Sequence, residues 1–238
     1  MIVSEQPLIR MYNADSLEAM KGMEDNAYEL AIVDPEYGIG MDNSNKRTKP
    51  SRPNSYTLYP DFRYKEASWD QERVGEDAIK EIFRVSKNQV MFGANYYCHL
   101  LPEGCGWLFW NKKNGANNCF SDGEFAFTSK GVQSRYFSCS QFDGLRGGLD
   151  RIHPTEKPVK LYKWLLTNYA TEGDRILDTH GGSGSIAIAC YDMGFDLDWY
   201  ELDTDYYEAA VNRFKEHIKQ GQLFRPEPKR QLKQGKLL

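Results

Sequence analysis

Short, uninterrupted apolar runs alternate along this chain with stretches of helical period, and that alternation restricts the available folds more than any other feature. Leu30 to Val33 (LAIV), Asn88 to Phe92 (NQVMF) and Arg175 to Asp178 (RILD) read as strands, the first and last of the type buried on both faces. Trp107 to Trp110 and Glu124 to Thr128 read as further strands with aromatic content, and Asp198 to Glu201 as another. Amphipathic segments lie between them. One starts at Trp69 and Asp70 and sets Val74, Ala78, Ile82 and Val85 on one face. A second is opened by Pro158 at the first helical position, with Tyr162, Leu165, Leu166 and Tyr169 along its face. Ile186 to Tyr191 forms a third, and a last helix carries Tyr207, Ala210, Val211, Phe214 and Ile218 on one side. Such alternation predicts an α/β three-layer architecture with a mostly parallel sheet. A chain of 238 residues, 40% hydrophobic, supplies one good core, so a single domain over residues 1–238 is expected.

Other classes drop out on composition. No internal period or low-complexity block occurs, and no apolar run approaches the roughly 20 residues of a spanning helix. The opening MIVSEQPLIR lacks a basic-then-apolar leader, so a soluble, cytoplasmic protein with no membrane partner is expected. Five cysteines (Cys98, Cys105, Cys119, Cys139 and Cys190) form no close pair, and none of the four histidines lies at ligand spacing beside them. Reduced thiols and no metal site are the expectation. The net charge of −4 conceals a segregation. Residues 172–208 are acidic, whereas Lys46, Arg47, Lys49 and Arg52 crowd one polar segment and the tail from Arg213 onward is basic.

In open α/β sheets ligands bind beyond the carboxyl ends of the strands, so the residues that follow each strand carry the functional information. After Asp178 comes Thr179-His180-Gly181-Gly182-Ser183-Gly184-Ser185, a turn whose glycines let backbone approach a ligand at a helix N-terminus. Gly182, Gly184 and Ala187 also match a loose GxGxxA form of a nicotinamide-cofactor turn, and a tight turn needing glycine for geometry alone is a third reading. Glu201 ends the next strand, where a carboxylate accepts both hydroxyls of a ribose; this suits any adenosine-containing cofactor.

The segment Asp34-Pro35-Glu36-Tyr37-Gly38 narrows the chemistry. The exocyclic nitrogen of adenine is a poor nucleophile because its lone pair is delocalised into the ring. Two acceptors, the Asp34 carboxylate and the Pro35 carbonyl, hold its protons out of conjugation and aim the lone pair at an electrophile. Tyr37 would stack on an extruded base, and at about 1 to 3 kcal/mol this offsets much of the unstacking cost. A plain strand-to-loop turn is the alternative for these residues.

Asp34-Pro35-Glu36-Tyr37 resembles the DPPY motif of S-adenosylmethionine-dependent DNA amino-methyltransferases, His153 to Pro158 resembles their HPTQKP, and Asp178 to Ser185 resembles their DPFxGSGT. Arg84 to Gln89, Gly93 to Tyr97 and Trp107 to Lys112 resemble adenine methylases carried by phages and prophages, some of which serve restriction-modification. The order of motifs, catalytic first and cofactor turn last, is similar to the permuted β group. The resemblance covers nearly the whole chain. It implies a Rossmann-like, circularly permuted methyltransferase fold, S-adenosyl-L-methionine as methyl donor, and double-stranded DNA as substrate. It also implies catalytic roles for Asp34, Pro35 and Tyr37, and cofactor contacts from Asp15, Lys157, Pro158, Asp178, Gly182, Ser183, Gly184 and Glu201. Asp15 would contact the cofactor adenine, although an N-cap of the helix Ser16 to Met20 suits it equally. Lys157 and Pro158 would lie near the methionine part. Asp in first place favours adenine over cytosine, and the absence of a Pro-Cys pair argues against methylation of a ring carbon.

DNA engagement is expected from residues 39–68, where Lys46, Arg47, Lys49 and Arg52 neutralise phosphates, and from a short recognition segment over 111–152. So small a reader implies a short target, a homodimer or weak selectivity. Residues 225–238 are expected to form a basic, disordered tail. Two departures from the family pattern stand out: Glu36 replaces the second proline, and Thr179-His180 replaces Pro-Phe. No acid-base role is assigned to His180. A nicotinamide-dependent oxidoreductase, a nucleic-acid binder silenced by Glu36, and a methyltransferase of RNA or of protein glutamine remain as alternatives.

Overall fold

The computed structural model describes residues 2–3, 7–39, 73–114, 121–141, 152–153 and 155–223. Among the described residues, nine strands form one sheet: β1 (Ile2–Val3), β2 (Ile9–Asn13), β3 (Tyr28–Val33), β4 (Ser86–Phe92), β5 (Gly106–Asn111), β6 (Gly123–Thr128), β7 (Arg135–Ser138), β8 (Arg175–Asp178) and β9 (Asp196–Glu201). Their order is β1-β2-β9-β8-β3-β4-β6-β5-β7. The run from β2 to β4 is parallel throughout; β1 and β6 pair antiparallel to their neighbours, while β7 runs parallel to β5. The helices are α1 (Ser16–Lys21), α2 (Glu76–Val85), α3 (Ala94–Tyr97), α4 (Val159–Tyr169), α5 (Ser185–Met193) and α6 (Thr204–Leu223).

The strand pleat sorts the core into two halves. Leu30 and Ile32 of β3, with Val90 and Phe92 of β4, point to the side covered by α4, α5 and α6. Ala31 and Val33, with Met91, point to the opposite side, where Met20, Ile79, Ile82, Val85 and Tyr97 of α1, α2 and α3 meet them. This is the three-layer arrangement that continuous apolar runs require, because both faces of the central strands leave water. Full burial of each such aliphatic side chain contributes about 1.5 to 3 kcal/mol.

Several boundaries differ from the sequence reading, for local reasons. The helix expected from Trp69 starts at Glu76: Trp69 and Asp70 lie outside the described residues, Val74 precedes the helix, and Gly75 is its cap with extended backbone. Glu76 and Asp77 in the first turn and Arg84 in the last complement the helix dipole. Pro158 is the N-cap of α4 (ψ 142°) rather than its first helical residue. The edge strands β1 and β7 and the one-turn helix α3 were not anticipated, since none is long enough to show a period. Within residues 111–152, β6 and β7 are strands of the main sheet. The cationic cluster Lys46, Arg47, Lys49 and Arg52 and the tail 225–238 lie outside the described residues, as does Cys119. Cys98, Cys105, Cys139 and Cys190 are free thiols. No described helix is long and apolar enough to cross a membrane.

Candidate active site

Because β2, β9, β8, β3 and β4 are parallel, their carboxyl ends share one edge of the sheet. The registers Ala31 with Leu177, Asp178 with Trp199, and Asn13 with Glu201 set the segments after β3, β8, β9 and β2 side by side. Asp34, Asp178, Glu201 and Asp15, spread over the sequence, therefore converge. Gly93, after β4, closes the row.

The first half of the site is built on Asp34. The Tyr37 hydroxyl donates to its Oδ1 and the Lys157 ammonium to its Oδ2. Lys157, only 2% exposed, also lies 3.1 Å from Glu124 of β6, whose other oxygen pairs with Lys112. Four charges of alternating sign thus run Lys112, Glu124, Lys157, Asp34. Burial pushes the Asp34 carboxyl up while Lys157 and the Tyr37 hydroxyl pull against it. Burial also opposes the charge on Glu124, but Lys157 and Lys112 outweigh it and hold that carboxyl down at about 2. For Lys157, burial is more than offset by Asp34 and Glu124, so its ammonium keeps its proton. Each Asp34 oxygen has two lone pairs, so the carboxylate retains acceptor capacity beyond these bonds.

Tyr37 stacks on Tyr96 with ring centroids 5.1 Å apart. Its ring edge lies against Gly93, where an added Cβ would come within 2.1 Å of it, and the φ of +66° there disfavours any other residue. The strap from Asp34 to Tyr37 is tied down further by the carbonyl of Glu36, which accepts from the Tyr97 hydroxyl and, at 3.2 Å, from the Val74 amide.

The second half is the turn between β8 and α5. Glu201 accepts from the Gly182 amide at 2.7 Å and from the Asp203 amide at 2.8 Å, which fixes its carboxylate against the turn. Gly182 has φ +51°, and a Cβ built there would make ordinary contact with the His153 ring at 3.7 Å. Buried Asp178 accepts from the His180 amide at 3.0 Å, and burial pushes its carboxyl up to about 7. Burial likewise raises Glu201. Ser183 and Ser185 are buried with hydroxyls 3.1 Å apart. A glycine turn edged by two carboxylates with raised pKa suits a ligand that brings positive charge and vicinal hydroxyls. Among the described residues, no group of three or more His, Cys, Asp or Glu is arranged to hold a metal ion.

Of the residues singled out in the sequence, the structure brings Asp34, Tyr37 and Lys157 into one bonded cluster, and Gly182 and Glu201 into another. Lys157 directs its ammonium to the Asp34 side. Pro158 is buried beneath it as the cap of α4. Asp15 does cap α1, accepting from the Leu17 amide at 2.8 Å and the Glu18 amide at 3.3 Å, while remaining exposed at the same sheet edge as Glu201. Two contributors were missed. Glu124 balances Lys157; its only signal was a charge inside the aromatic strand GEFAFT. Arg213 of α6 reaches the Ser183 carbonyl at 2.9 Å, the Ser185 hydroxyl at 3.0 Å and buried Glu156 at 3.0 Å, bracing the turn. Glu36 and His180, the two departures from the motif pattern, form an ion pair with each other at 3.3 Å.

Comparison with known proteins agrees with this geometry. Residues 44–212, well over half of the chain, match the N6_N4_Mtase family, described as DNA methylase. The Type II methyltransferase M.HpaI of Haemophilus parainfluenzae is 22% identical, over 86% of this chain and 73% of that protein. The crystal structure of the M1.HpyAVI–SAM complex superposes with a TM-score of 0.52 at 17% identity, covering 86% of this chain and 98% of that one. The cytosine-N4-specific PvuII DNA methyltransferase gives 0.55 at 12% identity, covering 92% and 96%. The fold is that of these Rossmann-like methyltransferases, and the match sets aside the nicotinamide oxidoreductase. With the parallel edge, the Asp34 cluster and the Glu201 turn in place, the chain belongs to the N6/N4 DNA methylase family.

Proposed function

We propose that this protein transfers a methyl group from S-adenosyl-L-methionine to the exocyclic amino group of adenine in double-stranded DNA, the base being swung out of the duplex. One observation carries the reading: the Asp34 carboxylate, held between the Tyr37 hydroxyl and the Lys157 ammonium, ends the strand next to the one that leads into the Gly182–Glu201 turn. The donor supplies a methyl group on a sulfonium, already activated, so alignment and exclusion of water are what the protein adds.

Each side chain then has a task. Glu201, fixed by two amides, accepts the ribose hydroxyls. Asp178 offsets positive charge on the donor, and the amides of the turn around Gly182, Ser183 and Gly184 lie along it. Asp15 reaches the donor's adenine edge with the carboxylate oxygen not used in capping α1. Lys157 and Pro158 shape the boundary between the two halves. Asp34 and the Pro35 carbonyl accept the two amino protons of the target base, and Tyr37 stacks on it with the face opposite Tyr96. As the nitrogen–carbon bond forms and the sulfur–carbon bond breaks, the nitrogen sheds one proton; Asp34, its carboxyl raised by burial, is placed to receive it. Lys46, Arg47, Lys49 and Arg52 neutralise backbone phosphates, which makes binding strongly salt-dependent.

The test is methyl transfer to unmodified duplex DNA followed by nucleoside mass spectrometry. N6-methyladenine is the expected product, and Asp34→Ala is expected to abolish it while S-adenosylhomocysteine still binds. N4-methylcytosine would overturn the choice of base. Salt-dependent DNA binding without any product would favour the silenced binder.

A further inference from the structure

Resting on the reading just proposed, we propose that Glu36 and His180 form an ionic latch that holds the Asp34–Tyr37 strap against the turn after β8, and that both act as positioning residues for methyl transfer. Glu36 belongs to the Asp34 half of the site and His180 to the Glu201 half, and their ion pair joins the two.

The geometry is that of a built joint. The Glu36 backbone carbonyl is held by the Tyr97 hydroxyl and the Val74 amide, which belong to the α2–α3 side of the sheet. Its carboxylate lies 3.3 Å from His180 Nε2. His180 is anchored in turn: its amide donates to Asp178, and its Nδ1 lies 2.8 Å from the Thr179 hydroxyl. The segments after β3 and β8 are sheet neighbours, and the register that pairs the two strands runs to Ala31 and Leu177, short of either segment. The Glu36–His180 pair joins the two segments beyond that register.

The charges agree with this role. The ring is faced by Glu36 from the strap, Asp178 from the end of β8 and Glu201 from the end of β9. Glu36 is faced by His180 and by His153 from the segment before α4. Burial works against a charged imidazole, but Glu36, Asp178 and Glu201 outweigh it and lift His180 to about 9. Burial also works against the Glu36 carboxylate, and His180 more than compensates, holding it below its ordinary value. At neutral pH the pair is therefore fully ionised. Losing either charge leaves the other half-buried and without its partner, which makes the loss costly.

The full-length protein is titrated by NMR at the His180 ring, alone and as Glu36→Gln, and both are assayed for methyl transfer beside His180→Asn and the double variant. The latch predicts that His180 titrates near pH 9 and drops by about one pH unit or more in Glu36→Gln. Each single variant should lower kcat about tenfold with a smaller change in KM for S-adenosylmethionine, and the double variant should be no slower than the worse single, as coupled residues behave. Glu36→Asp should recover part of the loss. An ordinary imidazole titration near 6.5 in the unaltered protein overturns the latch, and so do single effects that multiply in the double variant. A normal latch titration in a protein that methylates no DNA supports the ion pair and overturns the proposed function instead.

Discussion

Asp178→Asn should stabilise this protein at neutral and alkaline pH while weakening its hold on the methyl donor. Asp178 is 2% exposed, and burial is the main reason its carboxyl is pushed from the ordinary 3.8 to about 7. The His180 amide and ring charge pull it down, and Asp34 and Glu201 add to the rise. Between about pH 4 and 7 the folded chain holds a proton that the unfolded chain releases, so stability falls as pH climbs through that window and the whole penalty is in force above it. At about 1.4 kcal/mol per pKa unit, the span from 3.8 to about 7 amounts to about 4 kcal/mol. Asparagine keeps Oδ1 for the His180 amide, which now donates at 3.0 Å, and removes the charge. Urea unfolding at pH 5 and pH 8 measures the outcome. The unaltered protein should lose stability between the two, and the variant should be flatter and about 2 to 4 kcal/mol more stable at pH 8. Calorimetry with S-adenosylmethionine should show affinity reduced about tenfold if, as proposed, Asp178 offsets the positive charge of the donor. A variant no more stable at pH 8 than the parent would refute the argument that burial dominates this carboxyl.

Gly93→Ala should leave a folded protein with methyl transfer reduced at least about tenfold, because the new Cβ would sit 2.1 Å from the Tyr37 ring and the φ of +66° adds about 1 to 2 kcal/mol of strain. Steady-state kinetics beside circular dichroism checks this, and unchanged kcat would show that Tyr37 need not hold its place. Glu124→Gln should destabilise by about 3 kcal/mol at pH 7 by leaving Lys157 and Lys112 short of a counter-charge. Because Glu124 is held below its ordinary value in the fold, that deficit is full above about pH 4.5 and shrinks as acid approaches about pH 2, which paired denaturation curves would reveal.

How much of this was legible beforehand depended on the range of the interaction. Periodicity located β3, β4, β8 and β9 and the inward faces of α2, α4 and α6, since burial on a strand or helix leaves a regular trace in the residues themselves. That Asp34, Tyr37, Gly182 and Glu201 meet at one edge was legible for a related reason: residues that follow parallel strands gather at the edge where open α/β sheets bind ligands. The α2 boundary was misplaced because Val74 satisfies the helical spacing yet precedes the Gly75 cap. Pro158 fits a cap as well as a first helical position, and only backbone geometry separates the two. The partners of charge were illegible for a different reason. Glu124 reads as an intruder in an aromatic strand until Lys157, far along the chain, is packed beside it. Glu36 and His180 each look like a defect in a motif and together make an ion pair.

The linear chain alone determined the layered α/β class, the order of its functional turns and the kind of chemistry their side chains permit, because these follow from local pattern and from the nature of the groups. Tertiary structure alone decided which charges face one another, how far each carboxyl is moved from its ordinary value, and which ring lies against which glycine. Electrostatic energy inside a protein depends on distance and on the removal of water, and neither is set until distant strands lie side by side.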